Sequence, residues 1–167
     1  MSERKIAQVC MMSKDIQKSM EKYWKIWGVG PWGIHNFTPE IIRDFMVRGK
    51  RVEEDFEVII AVTGLGDMQI ELIQPVKGPS IYWEFLDKKG EGIHHIKEYV
   101  SDEDMEKVLN EYKQKGIEVI QSGKFDDDVF YYLDTEPTLG YLLELGNCGK
   151  VREPARWYPT APKPKKE

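Results

Sequence analysis

The sequence predicts an α+β protein of two tandem βαβββ modules, whose curled mixed sheets surround one shared metal cleft. Three observations carry the fold. The order strand, capped helix, three strands runs through the chain twice, with a period of roughly ninety residues. The two openings, IAQVCMMSKDIQKSMEKY and IHHIKEYVSDEDMEKVLNEY, align with Gln8 opposite His95 and Ser13 near Ser101. Each half alone is too small to bury a convincing core, so the pair should share one.

The elements follow in order. IAQVCMM is mostly apolar and β-compatible. Ser13 is expected to cap the next helix, with Asp15 in its first turn. Ile16, Met20, Tyr23, Trp24 and Trp27 recur at helical spacing, and Gly28 closes the run. GVGPWGIHNF reads as a turn and a short strand. FEVIIAVTG is a strand rich in β-branched residues, and MQIELIQP follows it after a turn. A short helix in GPSIYWEFLDKKG links the halves. The second module then opens on GIHHIKEYV, Ser101 caps a helix that ends at Gly116, and IEVIQSG, DVFYYLD and GYLLELG complete it. The domain is expected to span residues 1–147, with modules at about 5–76 and 92–147. Residues 148–167 form a Pro/Lys-rich tail, in which Arg156–Tyr158 could anchor to another surface or lie loose in solvent.

Composition narrows the partners. A net charge of −5 argues against nonspecific nucleic-acid binding. No apolar run reaches membrane-spanning length, and MSERK does not resemble a signal peptide, so a cytoplasmic protein is expected. Two cysteines, Cys10 and Cys148, suggest no disulfide framework.

Period two sorts the strands into faces. Val9 and Met11, Ile70 and Leu72, and Leu143 and Leu145 should pack on the helices. The opposite faces carry one ligand-capable group per strand: Gln8, Glu71, His95 and Glu144. They come from the first and last strand of each repeat. Three oxygens and one imidazole suit a divalent cation in a five- or six-coordinate site. Two glutamates facing each other would also repel without a cation between them. Alternation alone leaves open that His95 is structural and that the glutamates lie on a solvated face.

At this point the chain resembles the vicinal oxygen chelate superfamily, which includes glyoxalase I, methylmalonyl-CoA epimerase and extradiol dioxygenases. The resemblance covers about residues 5–147. It is most specific in IELIQPVKGPSIYWEFLDKKGEGIHHI, which is similar to the epimerases, and in the closing GYLLEL. It implies that Gln8, Glu71, His95 and Glu144 bind one divalent ion (Zn, Co, Ni, Mn or Mg), that His94 points away, and that the protein is a homodimer. Epimerases usually carry His at the first ligand position, whereas this chain has Gln8; eukaryotic glyoxalase I has a Gln, Glu, His, Glu set.

The activity implied is an epimerase or racemase that removes a proton α to a carbonyl through a metal-stabilised enolate. Its small-molecule substrate is an acyl thioester or an aromatic ketone such as an isoflavanone. Glu144 is the first candidate base and Glu71 its opposite-face partner. Lys97 could bind an anionic group, or sit at the cleft mouth in water. Trp32 could border the pocket and stack on substrate, or belong to the core. A second base implied by the epimerases would fall among Glu53, Glu54 and Glu57. The alternatives are a glyoxalase I-type isomerase or lyase, and a metal-free binding protein.

Overall fold

Two repeats of β-α-β-β-β generate the sheet, and a computed structural model describes residues 4–160 of it. The first repeat contributes β1 (Lys5–Met12), α1 (Ile16–Trp27), β2 (Trp32–Phe37), β5 (Glu57–Leu65) and β6 (Met68–Lys77). A hairpin, β3 (Ile42–Val47) and β4 (Lys50–Arg51), interrupts it. α2 (Ile81–Lys89) links it to β7 (Gly92–Tyr99), α3 (Asp102–Gln114), β8 (Val119–Phe125), β9 (Asp128–Leu133), α4 (Glu136–Leu139) and β10 (Leu142–Gly146). β11 (Arg156–Tyr158) follows.

The two expected four-stranded sheets are continuous. All strands join one curled sheet in the order β11-β2-β5-β6-β1-β7-β10-β9-β8-β3-β4. The seam is the antiparallel pair β1–β7, one opening strand from each repeat. The hairpin extends the far edge of the second repeat, because β3 pairs with β8. Its sequence signal is weak: only Ile42 and Phe45 are buried, and Asp44 and Arg48 have positive φ.

Alternation decides what each face meets. Met11, Ile70 and Leu72 pack with Ile16 and Met20 of α1. Leu145 and Leu133 pack with Met105 of α3. Each such buried side chain contributes about 1.5–3 kcal/mol relative to exposure. On the other face Met12, Ile73, Tyr82, Phe130, Tyr132 and Leu142 form the shared core.

The cap of α1 is Asp15 rather than Ser13. Asp15 Oδ1 accepts the Lys18 N–H at 3.1 Å, while the Ser13 hydroxyl accepts the Asp15 N–H and bonds Ser19 Oγ at 2.8 Å. Ser101 does cap α3, accepting the Asp104 N–H. In the tail, Arg156–Tyr158 pairs antiparallel with β2. Pro154 comes so near Gly33 that a β-carbon there would stand 2.6 Å from its Cγ. Residues 161–167 of the expected tail lie outside the described residues. No described helix is long and apolar enough to cross a membrane.

Candidate metal centre

The site is built on two adjacent rungs of the sheet where the repeats join. On one rung Cys10 of β1 pairs with Glu71 of β6 on one side and His95 of β7 on the other. On the next, Gln8 pairs with Gln69 and Lys97, and Lys97 pairs with Glu144 of β10. Because side chains alternate across a strand, both rungs project into the cleft. The four expected ligands come together there, and all are buried.

Their contacts form one chain of charge. His95 Nε2 lies 2.8 Å from Glu144 Oε2 and 3.4 Å from Glu71 Oε2. Glu71 Oε1 accepts from Gln8 Nε2 at 3.3 Å, and Gln8 Nε2 also reaches Gln69 Oε1 at 3.2 Å. Lys97 Nζ stands 3.1 Å from Glu144 Oε1 and 3.0 Å from Asp128 Oδ2. Lys97 therefore does not snorkel at the cleft mouth: it is buried between two carboxylates. Gly146 leaves space for its stem, since a β-carbon there would collide with Lys97 Cε.

These neighbours set protonation. Burial disfavours an imidazolium at His95, but Glu144 and Glu71 outweigh burial and raise it to about 9. Burial pushes Glu144 up, but Lys97 and His95 hold it down at about 2. Burial also raises Asp128, against the pull of Lys97. In the cation-free protein, His95 thus contributes stability that is complete below its ordinary value of 6.5 and is lost as pH rises through about 9. The melting temperature of cation-free protein is expected to fall across that window. A saturating divalent cation should flatten the fall, because a ligated imidazole has already lost its proton. Equal slopes with and without cation would contradict His95 as a ligand.

His94 departs from the expectation that it faces away. Cys10 pairs with His95 but Met11 pairs with Ile93, so His94 is the extra residue of a β-bulge. A bulge re-aims a side chain. The His94 ring lies 5.0 Å from Phe85 and 5.8 Å from Tyr132, and its Nδ1 sits 2.8 Å from His95 Nδ1. Burial first, then His95 and Lys89, push His94 well below its ordinary pKa, so it is neutral. A neutral His94 Nδ1 can accept the His95 Nδ1–H, leaving His95 Nε2 to face the carboxylates. Such a partner orients a ligating imidazole. His94→Phe is expected to weaken cation binding about 10–100-fold, measured by competition against a chelator. Unchanged affinity would reduce His94 to a packing role.

A cavity of about 420 Å³ opens onto Gln8, Glu71, Lys97 and Glu144. Phe37, Phe125, Phe130, Tyr82 and Tyr132 line its walls, and the tail from Cys148 to Trp157 closes one side. Trp32 is not in this wall. It is fully buried in the α1-side core, because β2 alternation turns Trp32 and Ile34 toward α1 and Gly33, His35 and Phe37 toward the cavity. Glu53, Glu54 and Glu57 are also outside it, and Glu57 instead accepts from Asn36. His35 is the titratable group that β2 places in the wall, with burial lowering its pKa. Sequence reasoning passed over Cys10, Asp128, His35 and the tail as a wall. Cys10 carried a usable signal through its shared parity with Gln8, and His35 through its parity within β2.

The sequence model of the Glyoxalase/Bleomycin resistance protein/Dioxygenase superfamily matches residues 7–132, most of the chain. The chain belongs to this superfamily. No curated protein matches it significantly. Among solved structures, this superfamily member is similar to a hypothetical protein of Bacillus halodurans C-125, at 22% identity and a TM-score of 0.67, over 91% of this chain and 99% of the other. It is also similar to methylmalonyl-CoA epimerase from Mycobacterium tuberculosis, at 20% identity and a TM-score of 0.61, over 84% of this chain and 85% of the other. A methylmalonyl-CoA epimerase in complex with methylmalonyl-CoA and NH4+ gives 21% identity and a TM-score of 0.61, over 92% and 100%. These likenesses extend the shared fold over the whole domain.

The residues present fit a divalent cation. His95 Nε2 is fully buried and makes no aligned hydrogen bond, although two carboxylates converge on it. Imidazole and carboxylate together suit a borderline ion.

Proposed function

We propose that the protein is a metal-dependent epimerase or racemase acting α to a carbonyl. The observation that carries this reading is the pair Glu144 and Glu71, two buried carboxylates that converge on His95 Nε2, at 2.8 and 3.4 Å, at the floor of the cavity. A carboxylate so placed can take a proton from carbon. Glu71, on the other side of His95, is the partner that returns a proton to the opposite face. The Lys97 ammonium beside Glu144 favours negative charge developing on a substrate oxygen. A divalent cation held by Glu71 and His95, with Gln8 and Glu144 as the further expected ligands, supplies Lewis acidity toward that oxygen when bound.

The walls support the aromatic ketone over the acyl thioester. Six Phe, Tyr and Trp rings line the cavity, and both of its lining cations are engaged, Lys97 by Glu144 and Asp128 and Arg152 by Asp126 at 2.9 Å. A flat apolar substrate such as an isoflavanone matches that lining. The test is incubation of one enantiomer in deuterated water. Racemisation with a single deuterium entering the α-carbon is expected, and retention of configuration without exchange refutes the reading. The Gln8, Glu71, His95, Glu144 set also supports a glyoxalase I-type isomerase. Turnover of a hemithioacetal, with no exchange on the ketone, would select that second reading. Ligand binding with neither reaction would select the binding protein.

A further inference from the structure

We infer that Cys10 is a thiolate ligand of the cation, beside Glu71 and His95. The inference rests on the metal dependence proposed above, but not on the identity of the reaction.

Three observations lead to it. Cys10 Sγ, a Glu71 oxygen and a His95 ring nitrogen all lie within 4.8 Å of one another, and all three residues are buried. They share a rung: Cys10 is the register partner of both Glu71 and His95. The second, independent sign of a ligand is His95 Nε2, fully buried and without an aligned hydrogen bond among the described residues. The third concerns the competing donors. Gln8 turns its amide N–H, not its oxygen, toward Glu71, and Glu144 gives Oε1 to Lys97 and Oε2 to His95. By contrast, the Cys10 thiol makes one weak contact, to the Met11 carbonyl at 3.7 Å.

The chemistry follows. Three protein ligands and an open position are the usual form of a catalytic zinc site, and a thiolate selects borderline or soft ions over Mg and Mn. As the sulfur–metal bond forms, the thiol proton passes to solvent, and no electron is transferred. The cation's identity, open in the sequence, is thereby narrowed to zinc, cobalt or nickel.

Cobalt(II) and cadmium(II) titrations of the full chain test this. Wild-type protein is expected to bind one ion and to develop a thiolate-to-metal charge-transfer band in the ultraviolet. Cys10→Ser should lose the band, while Cys148→Ser, which changes the other cysteine, should keep it. Far-ultraviolet circular dichroism of each variant reports folding, and a Cys10→Ala variant gives a second reading of the same position. One bound ion in wild type without the band overturns the assignment but leaves metal dependence standing. The same holds if the band is lost with Cys148→Ser and kept with Cys10→Ser. No binding of either ion overturns both the assignment and the metal-dependent reading.

Discussion

Replacing His95 by alanine is expected to remove the bound cation and α-proton exchange together, with activity falling more than about 100-fold. The magnitude follows by comparison: residues that only orient a ligating histidine cost about 10–100-fold when lost, so the ligand itself should cost more. The geometry explains why nothing substitutes for it. His95 Nε2 is the point on which Glu71 and Glu144 converge, at 3.4 and 2.8 Å. Without the imidazole those carboxylates face a void, and no other histidine nitrogen is aimed at them. His94 sits beside His95 but meets it through Nδ1, behind the site. His35 stands across the cavity against Phe125. His95→Gln retains volume and some polarity, so it separates lost ligation from lost packing. Metal content of the purified variants and deuterium uptake by the ketone are the measurements. A variant that keeps a stoichiometric cation and more than a tenth of the exchange rate would exclude His95 as a ligand.

The faces of the candidate ligands were legible in sequence because parity is a strong constraint. In an unbroken strand a residue's face is set by odd or even position, so Gln8, Glu71 and Glu144 could be assigned to the cleft without knowing the register. The same rule, applied to β2, puts Trp32 behind the sheet and His35 in front, which settles Trp32 as core rather than pocket wall. What parity does not carry is register. That Cys10 lies between Glu71 and His95 depends on how β1 meets β6 and β7. That Lys97 meets Asp128 depends on β9 folding back beside β10. The bulge at His94 breaks parity itself, and adjacent histidines give no sign of it. The β3–β4 hairpin was missed because its partner, β8, belongs to the other repeat, so no local pattern encodes the pairing. β11 is only three residues long and borrows its order from β2.

Lys97→Met is expected to destabilise the protein by about 3–5 kcal/mol, the usual cost of removing one partner from a buried ion pair. Methionine fills the space of the stem but leaves Glu144 and Asp128 without the ammonium that now stands 3.1 and 3.0 Å from them. The pH dependence identifies the cause. In wild type, Glu144 is held near 2, so its contribution is present above the ordinary value of 4.5 and fades as pH falls through 2. Lys97 is the largest of the influences opposing burial at Glu144, and likewise at Asp128. Once it is gone, burial should lift both carboxylates above their unfolded values. The folded variant then binds protons more readily than the unfolded chain, and its stability falls as pH rises through the lifted values. Urea unfolding should therefore show a large deficit at neutral pH that narrows in mild acid. Lys97→Met/Asp128→Asn should recover part of it, because one of the stranded charges is gone. A deficit below about 1 kcal/mol, the range of an exposed pair, or one unchanged by pH, would mean that water already reaches Lys97 and that Glu144 does not depend on it.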